Sequence, residues 1–454
     1  MNNSENELGG FNRRDFLKGG SAATLMTMLG GVELLGRAAE APPSEIKFTG
    51  TPLKVAVIGL GGWGRELLNV LLTLERANVA AICDNYPAFL KRAGNAAPKA
   101  KQVPDHKTIL EDQDIKAVFI ATATHQHKDI VLAALKAGKH VYCEAPLANT
   151  IEDAKTIALA AKAATKTLVF QAGLQLRAEP HRLFLLPFLR SGAIGIPLMV
   201  RAQWHKKLSW RATSPNPERE KAINWRLDKN ISIGLAGEIG LHHFDQAHWF
   251  LNAMPIAVSG FGALQLWNQD GREVPDTVQA MFEFPNNVVL NFSATLANSF
   301  DGSYELFHGS DSAVMIRDNK AWMFKEVDAP LLGWEVYAKK EQFYHESGIA
   351  LMANASKSVQ ATAATVENPE NNTLTEALNT FLKNAYDVDF KLADAKDAFK
   401  DDPEAIAEQL AGVVRRPAAG FIEGFRATVL GIKANEAILA RKRIELKPDL
   451  FELA

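Results

Sequence analysis

The sequence predicts an α/β fold: a doubly wound parallel sheet, followed by an α+β domain with a large open, mostly antiparallel sheet. Three observations predict it. Short β-branched runs alternate with amphipathic helical segments between residues 54 and 173, as in parallel sheets that carry helices on both faces. The first of these runs ends in a glycine-rich turn at the start of a helix. Beyond residue 173, apolar residues recur with a period of two, which is typical of antiparallel strands.

Five apolar runs in the first half of the chain predict parallel strands. They are KVAVIGLGG, VAAICD, AVFIAT, HVYCE and TLVFQAG. The segments between them have helical spacing of apolar residues, as in RELLNVLLTLE, HKDIVLAALKAGK and TIEDAKTIALAAKAA. Cys83 and Cys143 close two of the strand runs. We expect buried thiols there, rather than a disulfide or a metal site.

The second half of the chain combines helices with strands. AEPHRLFLLPFLRSG predicts a helix, and another is expected near residues 236–251. TVQAMFEFPNNVVLNFSATLA alternates around a Pro-Asn-Asn turn and predicts a hairpin. SKSVQATAATVENPENN has the composition of an exposed polar connector. The tail from residue 373 is predicted to be helical.

Composition narrows the class of protein. The 454 residues are 47% apolar and 22% charged, with a formal net charge of −2. These values are those of a globular protein with a large core. The charge balance gives no reason to expect nucleic acid or an anionic membrane as a partner.

The N-terminus has the layout of a twin-arginine export signal. Arg13 and Arg14 precede Phe-Leu-Lys and then the apolar run SAATLMTMLGGVELLG. This run is short and rich in glycine, and Glu33 interrupts it, so it does not predict a membrane-spanning helix. We expect the twin-arginine translocation machinery to export the chain to the periplasm or beyond, with no stable membrane span after signal removal.

The motif VIGLGGWG predicts a dinucleotide site. Gly59, Gly61 and Gly64 follow a strand and open a helix, where glycines permit a tight turn and close approach of a pyrophosphate. Asp84 ends the next strand, twenty residues after Gly64, where a carboxylate binds a ribose diol. A carboxylate there repels a 2′-phosphate, and Asn85 follows rather than arginine. NAD is therefore favoured over NADP.

A second polar cluster lies in GLAGEIGLHHFDQAHWF. Glu238, His242 and Asp245 are spaced to share one face of a helix. A carboxylate one turn from an imidazole can orient it and raise its basicity, which suits removal of a proton from a sugar hydroxyl. The same spacing also fits a structural histidine on a polar helix face. His243 is expected to point elsewhere, and no third ligand for a metal is evident.

The chain resembles the glucose–fructose oxidoreductase / inositol dehydrogenase / MocA (Gfo/Idh/MocA) family over roughly residues 52–445. The matching segments are VIGLGGWG, ICD, ATATHQHKDIVLAALKAGKHVYCEAP, GEIGLHHFD and FRATVLGIKANEAILARKR. The resemblance implies a nicotinamide cofactor between a Rossmann domain and an open-sheet domain that often forms homo-oligomers. The glucose–fructose enzyme of that family is exported by the twin-arginine route with its cofactor bound.

These patterns divide the chain into four parts. We expect a twin-arginine signal and linker, an NAD(P)-binding Rossmann domain, an α+β domain for substrate and oligomerisation, and a polar connector with C-terminal helices that pack back on the core. The respective boundaries are 1–50, 51–172, 173–356 and 357–454.

The resemblance assigns a role to VYCEAPLAN. Glu144 matches a residue that contacts the ribose on the nicotinamide side, and Pro146 matches a proline that often follows a cis bond. The family's lysine between them, which favours the ionised form of the reacting hydroxyl, is replaced by Ala145. A cation there would stabilise alkoxide charge by several kcal/mol. Without it, either His242 carries the acid–base work alone or another cation replaces the lysine, and the candidates are Lys206, Lys207, Arg226 and Arg177.

Weaker matches complete the predicted site. His127 matches a histidine that lines the cofactor, with Ala123 in place of a family proline. Trp204, Trp210 and Trp225 could stack on sugar faces. The predicted catalytic residues are His242 and Glu238. The predicted cofactor ligands are Gly59, Gly61, Gly62, Trp63, Gly64, Asp84, Thr122, His127 and Glu144. The predicted carbohydrate ligands are Arg177, Lys206, Trp225, Arg226 and Asp245.

Three functions remain open from the sequence. The first is an exported NAD-dependent oxidoreductase acting on a secondary hydroxyl of a sugar or glycoside, plausibly at C3. The second is an NAD-dependent glycosidase that oxidises its sugar transiently; Ala145 favours it, and the helix GEIGLHHFD favours the dehydrogenases. The third is a sugar-binding protein that retains a cofactor without catalysis, which the Glu238–His242 pair argues against.

Overall fold

The computed structural model describes residues 48–333, 335, 338–343, 346–351, 369–400 and 402–453. The predicted export signal and most of the predicted polar connector lie outside these residues. Within them, no helix is both long enough and apolar enough to cross a membrane.

The first sheet is parallel and, within the described residues, has six strands in the order β3-β2-β1-β4-β5-β6. Helices connect the strands. The strands are β1 (Leu53–Ile58), β2 (Ala77–Cys83), β3 (Lys101–Val103), β4 (Ala117–Ile120), β5 (His140–Cys143) and β6 (Phe170–Ala172). The helices are α1 (Gly62–Leu71), α2 (Pro87–Ala96), α3 (Lys107–Glu111), α4 (His127–Lys136) and α5 (Ile151–Ala164).

The strand order reverses between β1 and β4, which pair in parallel at the centre of the sheet. The carboxyl ends of these strands therefore border a crevice, the usual place for a ligand in such folds. The central strands are buried on both faces because helices cover both sides; Val55, Val57 and Phe119 have no exposed surface. This arrangement confirms the predicted doubly wound sheet.

The second sheet has ten strands in the described part of the chain, in the order β14-β15-β13-β12-β11-β7-β10-β9-β8-β16. Only β7 and β10 pair in parallel; the other described pairs are antiparallel. The strands are β7 (Pro197–His205), β8 (Ala257–Ala263), β9 (Thr277–Glu283), β10 (Val289–Thr295), β11 (Ser303–Gly309), β12 (Ser312–Arg317), β13 (Lys320–Lys325), β14 (Lys340–Phe343), β15 (Glu346–Leu351) and β16 (Ile444–Glu445).

One face of this sheet packs on helices. Along β9, buried Val278, Ala280 and Phe282 alternate with exposed residues, as a half-buried strand requires. The ring of Phe244 lies 4.6 Å from that of Phe282, measured between centroids. After β6 in chain order, the helices are α6 (Pro180–Arg190), α7 (Pro217–Ile223), α8 (Leu241–Leu251), α9 (Pro369–Phe399), α10 (Pro403–Ala411) and α11 (Phe421–Ala440).

The C-terminal helices connect the two sheets. Helix α9 places Leu378 and Phe381 in the same apolar cluster as strands of the parallel sheet. Helix α11 packs against both halves: Thr428 Oγ1 accepts a hydrogen bond from the Leu147 backbone N–H at 3.0 Å, and a Cβ on Gly424 would lie 2.7 Å from Ala172. The two halves are therefore packed against each other through a shared helix.

Two local predictions have different outcomes. The hairpin around Pro-Asn-Asn is confirmed, since β9 and β10 pair antiparallel across a turn at Pro285–Asn287. The helix expected near 236–251 is wrong in detail: Ala236–Gly240 forms a π-helical turn, and the α-helix begins at Leu241. Because a π-turn contains an extra residue, α-helical spacing does not hold across it.

Candidate active site

The glycine turn between β1 and α1 has the shape of a phosphate cradle. Gly59 has φ of +93°, and a Cβ on Gly64 would lie 1.9 Å from the carbonyl oxygen of Gly59, so both positions exclude a side chain. A Cβ on Gly61 or Gly62 would meet nothing within 4 Å. The turn is therefore tight against the sheet and open towards the crevice, as a bound pyrophosphate requires.

Asp84 lies beside this turn, at the end of β2. Its Oδ2 accepts a hydrogen bond from the Leu60 backbone N–H at 2.8 Å, and its Oδ1 accepts one from Tyr86 N–H at 2.7 Å. Arg219, from α7 of the second domain, brings its Nη2 to 3.6 Å from Asp84 Oδ1. Sequence reasoning missed Arg219, because it lies in a polar segment 135 residues further along the chain.

His127 supports the crevice from within the protein. Its ring nitrogens lie 3.0 Å from the Pro146 carbonyl oxygen and 3.2 Å from that of Thr122. It is buried, and burial lowers its pKa to about 4, so the ring is neutral. The ring contacts both backbone segments, and as a neutral imidazole it donates a hydrogen bond to one of these two oxygens. That His127 also lines the cofactor stays a prediction. The hydroxyl of Thr122 is buried without a hydrogen-bond partner among the described residues.

Glu144 follows β5 and is buried at the crevice. Burial raises its pKa to about 7, opposed by polar groups of Trp63 and Tyr142. Its Oε1 has no hydrogen-bond partner within the described part of the chain. A Cβ on Gly173 would lie 2.4 Å from Glu144 Oε2, so the carboxylate occupies the space above a glycine. The bond between Ala145 and Pro146 is cis, as the resemblance implies.

Glu238 lies in the π-turn and has a different partner from the one predicted. Its Oε2 is 3.5 Å from Nε of Arg226. Burial raises the pKa of Glu238, while Arg226 and the hydroxyl of Thr124 oppose the shift. Thr124 follows β4, so this carboxylate lies where the second domain meets the carboxyl ends of the parallel strands, which we call the Rossmann edge. No hydrogen bond joins Glu238 to His242 among the described contacts, so the predicted orientation of His242 by Glu238 is not found there. The partner of Glu238 in the structure is Arg226.

His242 is partly buried, at the start of α8. Burial lowers its pKa to about 4, and Asp245 and Glu305 oppose the shift. The ring is therefore neutral near pH 7, with a lone pair that can accept a proton. The expected rise in its basicity is wrong, because burial lowers the pKa and makes the ring a weaker base. The neighbouring His243 points into the protein, as expected, with Nδ1 2.7 Å from Glu305 Oε1.

Asp245 is enclosed. Arg177 donates two hydrogen bonds to it, from Nε and Nη2, each 2.8 Å long. Asp245 is 1% exposed, and Arg177 also stacks over the Trp249 ring at 4.9 Å. In this structure the two side chains pair with each other, and the expectation that they bind substrate stays a prediction. Arg177 lies in the turn Gln175–Ala178, directly after β6, and this ion pair therefore connects α8 to the Rossmann edge.

The expected substitutes for the missing lysine lie in different places. Lys206 and Lys207 are exposed, where the backbone N–H of Lys206 binds the Thr295 carbonyl at 3.0 Å, at the end of β10. Arg177 is bound by Asp245. Arg226 is the candidate that pairs with a buried carboxylate in the crevice.

Two of the predicted sugar-stacking tryptophans lie beside Arg226. Its guanidinium carbon is 4.5 Å from the Trp225 ring centroid and 5.8 Å from that of Trp210. Trp225 is buried, and its ring lies 6.0 Å from His125. Trp225 is therefore a support for Arg226 rather than an open platform for a sugar. Trp204 is half-buried in β7.

The residues at the crevice fit a dinucleotide. Among the described residues, Thr122 Oγ1 and Glu144 Oε1 are buried without hydrogen-bond partners, and an amide or a ribose hydroxyl would supply them. The open space at Gly61 and Gly62 leaves room for a pyrophosphate. Among the described residues, no group of three metal-ligating side chains is close enough to hold a metal ion.

Comparisons with known proteins agree with this architecture. Residues 53–172 match the oxidoreductase family with an NAD-binding Rossmann fold, and residues 187–313 match the GFO/IDH/MocA C-terminal domain. The levoglucosan dehydrogenase of Pseudarthrobacter phenanthrenivorans is 30% identical over 285 residues, covering 58% of this chain and 69% of that protein. The chain belongs to the Gfo/Idh/MocA oxidoreductase family.

Other members of the Gfo/Idh/MocA family match over a smaller share of their length. The inositol 2-dehydrogenase of Salmonella typhimurium is 31% identical over 202 residues, covering 44% of this chain and 55% of that protein. Residues 10–30 match the signal sequence of the twin-arginine translocation pathway. The chain therefore carries a signal for export by that route.

Solved structures show the same fold. An oxidoreductase domain protein from Kribbella flavida has a TM-score of 0.65 at 20% identity, covering 87% of this chain and 100% of that one. Levoglucosan dehydrogenase in complex with NADH has a TM-score of 0.64 at 21% identity, with the same coverage. The Gfo/Idh/MocA fold thus extends over both sheets.

Proposed function

We propose that this chain is an exported, NAD-dependent dehydrogenase that oxidises a secondary hydroxyl of a sugar or glycoside, with C3 of a pyranoside as the position. The observation that carries the proposal is the buried Glu238 with its Arg226 partner. Glu238 lies beside Thr124 of the Rossmann edge and four residues before a neutral histidine, His242.

His242 is the proposed base. Glu238 and Asp245, which flank it in sequence, are both tied to the Rossmann edge, through Thr124 and through Arg177. The start of α8 is therefore held against the crevice, and a neutral imidazole there can take the proton of a substrate hydroxyl. The nicotinamide, when bound, supplies the hydride chemistry. Glu144 is suited to accept a hydrogen bond from its ribose.

Arg226 is the proposed replacement for the lysine that Ala145 lacks. A guanidinium does not lose its proton in proteins, so it stabilises developing alkoxide charge without acting as an acid. Stacking on Trp225 and pairing with Glu238 fix its direction. Proton transfer and charge stabilisation are thereby divided between His242 and Arg226.

NAD is the proposed cofactor, because Asp84 is placed to bind a ribose diol, and because a relative of the same fold is described in complex with NADH. Carbohydrate substrates are proposed from relatives named for levoglucosan, inositol and 1,5-anhydro-D-fructose. Export by the twin-arginine route, which carries folded proteins, favours the periplasm as the site of action.

A homo-oligomer is proposed from the open face of the ten-stranded sheet. Phe261 and Met281 project from the paired strands β8 and β9 with 66% and 48% of their surface exposed. Apolar side chains so exposed on neighbouring strands are typical of an interface. A second copy of the chain, packed sheet to sheet, is the proposed occupant.

The test is His242→Ala. We expect turnover of a sugar to be lost while bound nicotinamide is retained, because the residue is proposed to move a proton rather than to hold the cofactor. His106→Ala is the matched control, since His106 lies on the Rossmann surface beside Asp105. Full turnover in the His242 variant would contradict the proposed base.

A further inference from the structure

A segment of the second domain crosses to the Rossmann edge. We name residues 206–235, between β7 and the π-turn, the strap. It contains α7, whose N-cap Asn216 accepts a hydrogen bond from the backbone N–H of Arg219 at 2.9 Å. Within the strap, Asn224 Nδ2 donates to the Ala212 carbonyl at 2.8 Å. These internal bonds give the strap a defined shape and present Arg219 from its helix.

Arg219 makes several contacts with the loop after β2. Its Nη1 donates a hydrogen bond of 2.9 Å to Asn85 Oδ1, and its Nη2 lies 3.6 Å from Asp84 Oδ1. Its guanidinium carbon lies 4.3 Å from the ring centroid of Tyr86 and 5.6 Å from that of Phe89. A planar guanidinium that both pairs and stacks is held more firmly than a surface ion pair.

Two further contacts between the strap and the Rossmann domain are found in the described part of the chain. Asn149 Nδ2 donates a hydrogen bond of 3.1 Å to the Ile231 carbonyl, and the Trp225 ring contacts His125. The Arg219 contact is the one at the adenosine end, because Asp84 is where the ribose next to the adenine binds in a Rossmann fold. The Nε of Arg219 is buried and has no hydrogen-bond partner among the described residues.

We propose that Arg219 is a positioning residue for the adenosine half of the cofactor: it fastens the strap across that end of the site and slows release of NAD. The inference rests on the proposed dinucleotide site. For NAD to leave the site, its adenosine half would have to pass the strap. Arg219 attaches the strap at that end through its contacts with Asp84 and Asn85. The role goes beyond binding a ribose diol, which Asp84 alone would do.

The experiment is a direct measurement of cofactor binding. The rate of NADH release is followed by nicotinamide fluorescence after mixing the loaded protein with excess ADP-ribose, for wild type, Arg219→Ala and Arg219→Lys. Lys221→Ala is the matched control: it removes an exposed positive charge from the same helix, with no described contact to Asp84 or Asn85. Equilibrium titrations with NAD and NADP accompany the rates.

We expect Arg219→Ala to release NADH at least tenfold faster, with a matching loss of NAD affinity. Arg219→Lys should release NADH at a rate between those of Arg219→Ala and wild type, because lysine keeps the positive charge but lacks the planar guanidinium. Lys221→Ala should match wild type. Equal release rates in all four proteins, or a loss of affinity for NADP alone, would overturn the inference. Wild type that binds no dinucleotide would instead overturn the proposed function.

Discussion

Glu238 Oε2 lies 3.5 Å from Nε of Arg226, and Glu238 Oε1 is buried without a hydrogen-bond partner among the described residues. A buried carboxylate oxygen normally accepts a hydrogen bond, and the hydroxyl of a substrate would donate one here. Burial raises the pKa of Glu238, and Arg226 opposes this by favouring the charged form. The pair therefore combines an open acceptor with a fixed cation at the mouth of the crevice.

Glu238→Gln tests the carboxylate of this pair. Glutamine keeps the shape but removes the charge that holds Arg226, so we expect kcat for sugar oxidation to fall about 100-fold, in the range for loss of one positioned polar group. Glu273→Gln is the control, because Glu273 is an exposed residue paired with Lys229 at 3.0 Å. A change in KM alone would show that Glu238 only binds substrate.

Arg226→Ala tests the substitute for the missing lysine. We expect kcat/KM to fall by about 10²–10³, the cost of removing one group that stabilises an oxyanion. Adding Ala145→Lys to this variant should recover at least tenfold, because it returns a cation to the family's position. Unchanged kcat/KM in Arg226→Ala would assign the alkoxide charge to another group.

Glu144 gives the stability of the protein a pH dependence. Burial raises its pKa from 4.5 to about 7. The folded state then binds the proton more tightly than the unfolded chain, so the free energy of unfolding falls as pH rises from 4.5 to 7. The change is about 3 kcal/mol, at ~1.4 kcal/mol per pKa unit.

Urea unfolding of the cofactor-free protein at pH 5 and pH 7.5 measures this dependence. Glu144→Gln should remove most of the fall relative to wild type. The same slope in both proteins would mean that Glu144 is ionised in the folded state throughout this range.

Glu305 gives the free energy of unfolding the opposite pH dependence. Its carboxylate lies 2.9 Å from Arg182 Nη2 and 2.7 Å from His243 Nδ1, and these charges hold its pKa at about 2 despite burial. Its stabilising contribution is therefore present above pH 4.5 and is lost as pH falls towards 2. We expect Glu305→Gln to destabilise the fold by about 3 kcal/mol at pH 7, because, among the described carboxylates, buried Arg182 then keeps only the longer contact of its Nε to Glu179 Oε2, at 3.4 Å.

Thermal and urea unfolding measure this effect. Glu341→Gln serves as a control, since Glu341 pairs with Lys339 on a more exposed strand. A loss below 1 kcal/mol for Glu305→Gln would mean that the contact with Glu179 is enough to compensate the charge of Arg182.

Local patterns predict the parts of the site formed by one short segment. The turn at Gly59–Gly64, the carboxylate of Asp84 and the hairpin at residues 277–295 follow from residue types at fixed spacing, since turn geometry and strand alternation are local. Burial of Cys83 and Cys143 follows in the same way.

Contacts between distant segments could not be predicted in this way. The π-turn before Leu241 breaks the α-helical spacing that would have paired Glu238 with His242, and nothing in the sequence marks the extra residue. The Arg177–Asp245 ion pair and the approach of Arg219 to Asp84 depend on how the two domains pack. Residues with the same charge patterns also occur on solvated surfaces, so their partners appear only in the folded chain.

The most direct test of the central claim uses the purified mature protein with its bound nicotinamide. A panel of aldoses, anhydrosugars, cyclitols and aryl glycosides is added, with nicotinamide absorbance and mass spectra of the sugars recorded. The proposed function predicts lasting reduction of the cofactor and a product two hydrogens lighter, both absent in His242→Ala. Released aglycone and free sugar without net reduction, or sugar binding without any redox change, would contradict it.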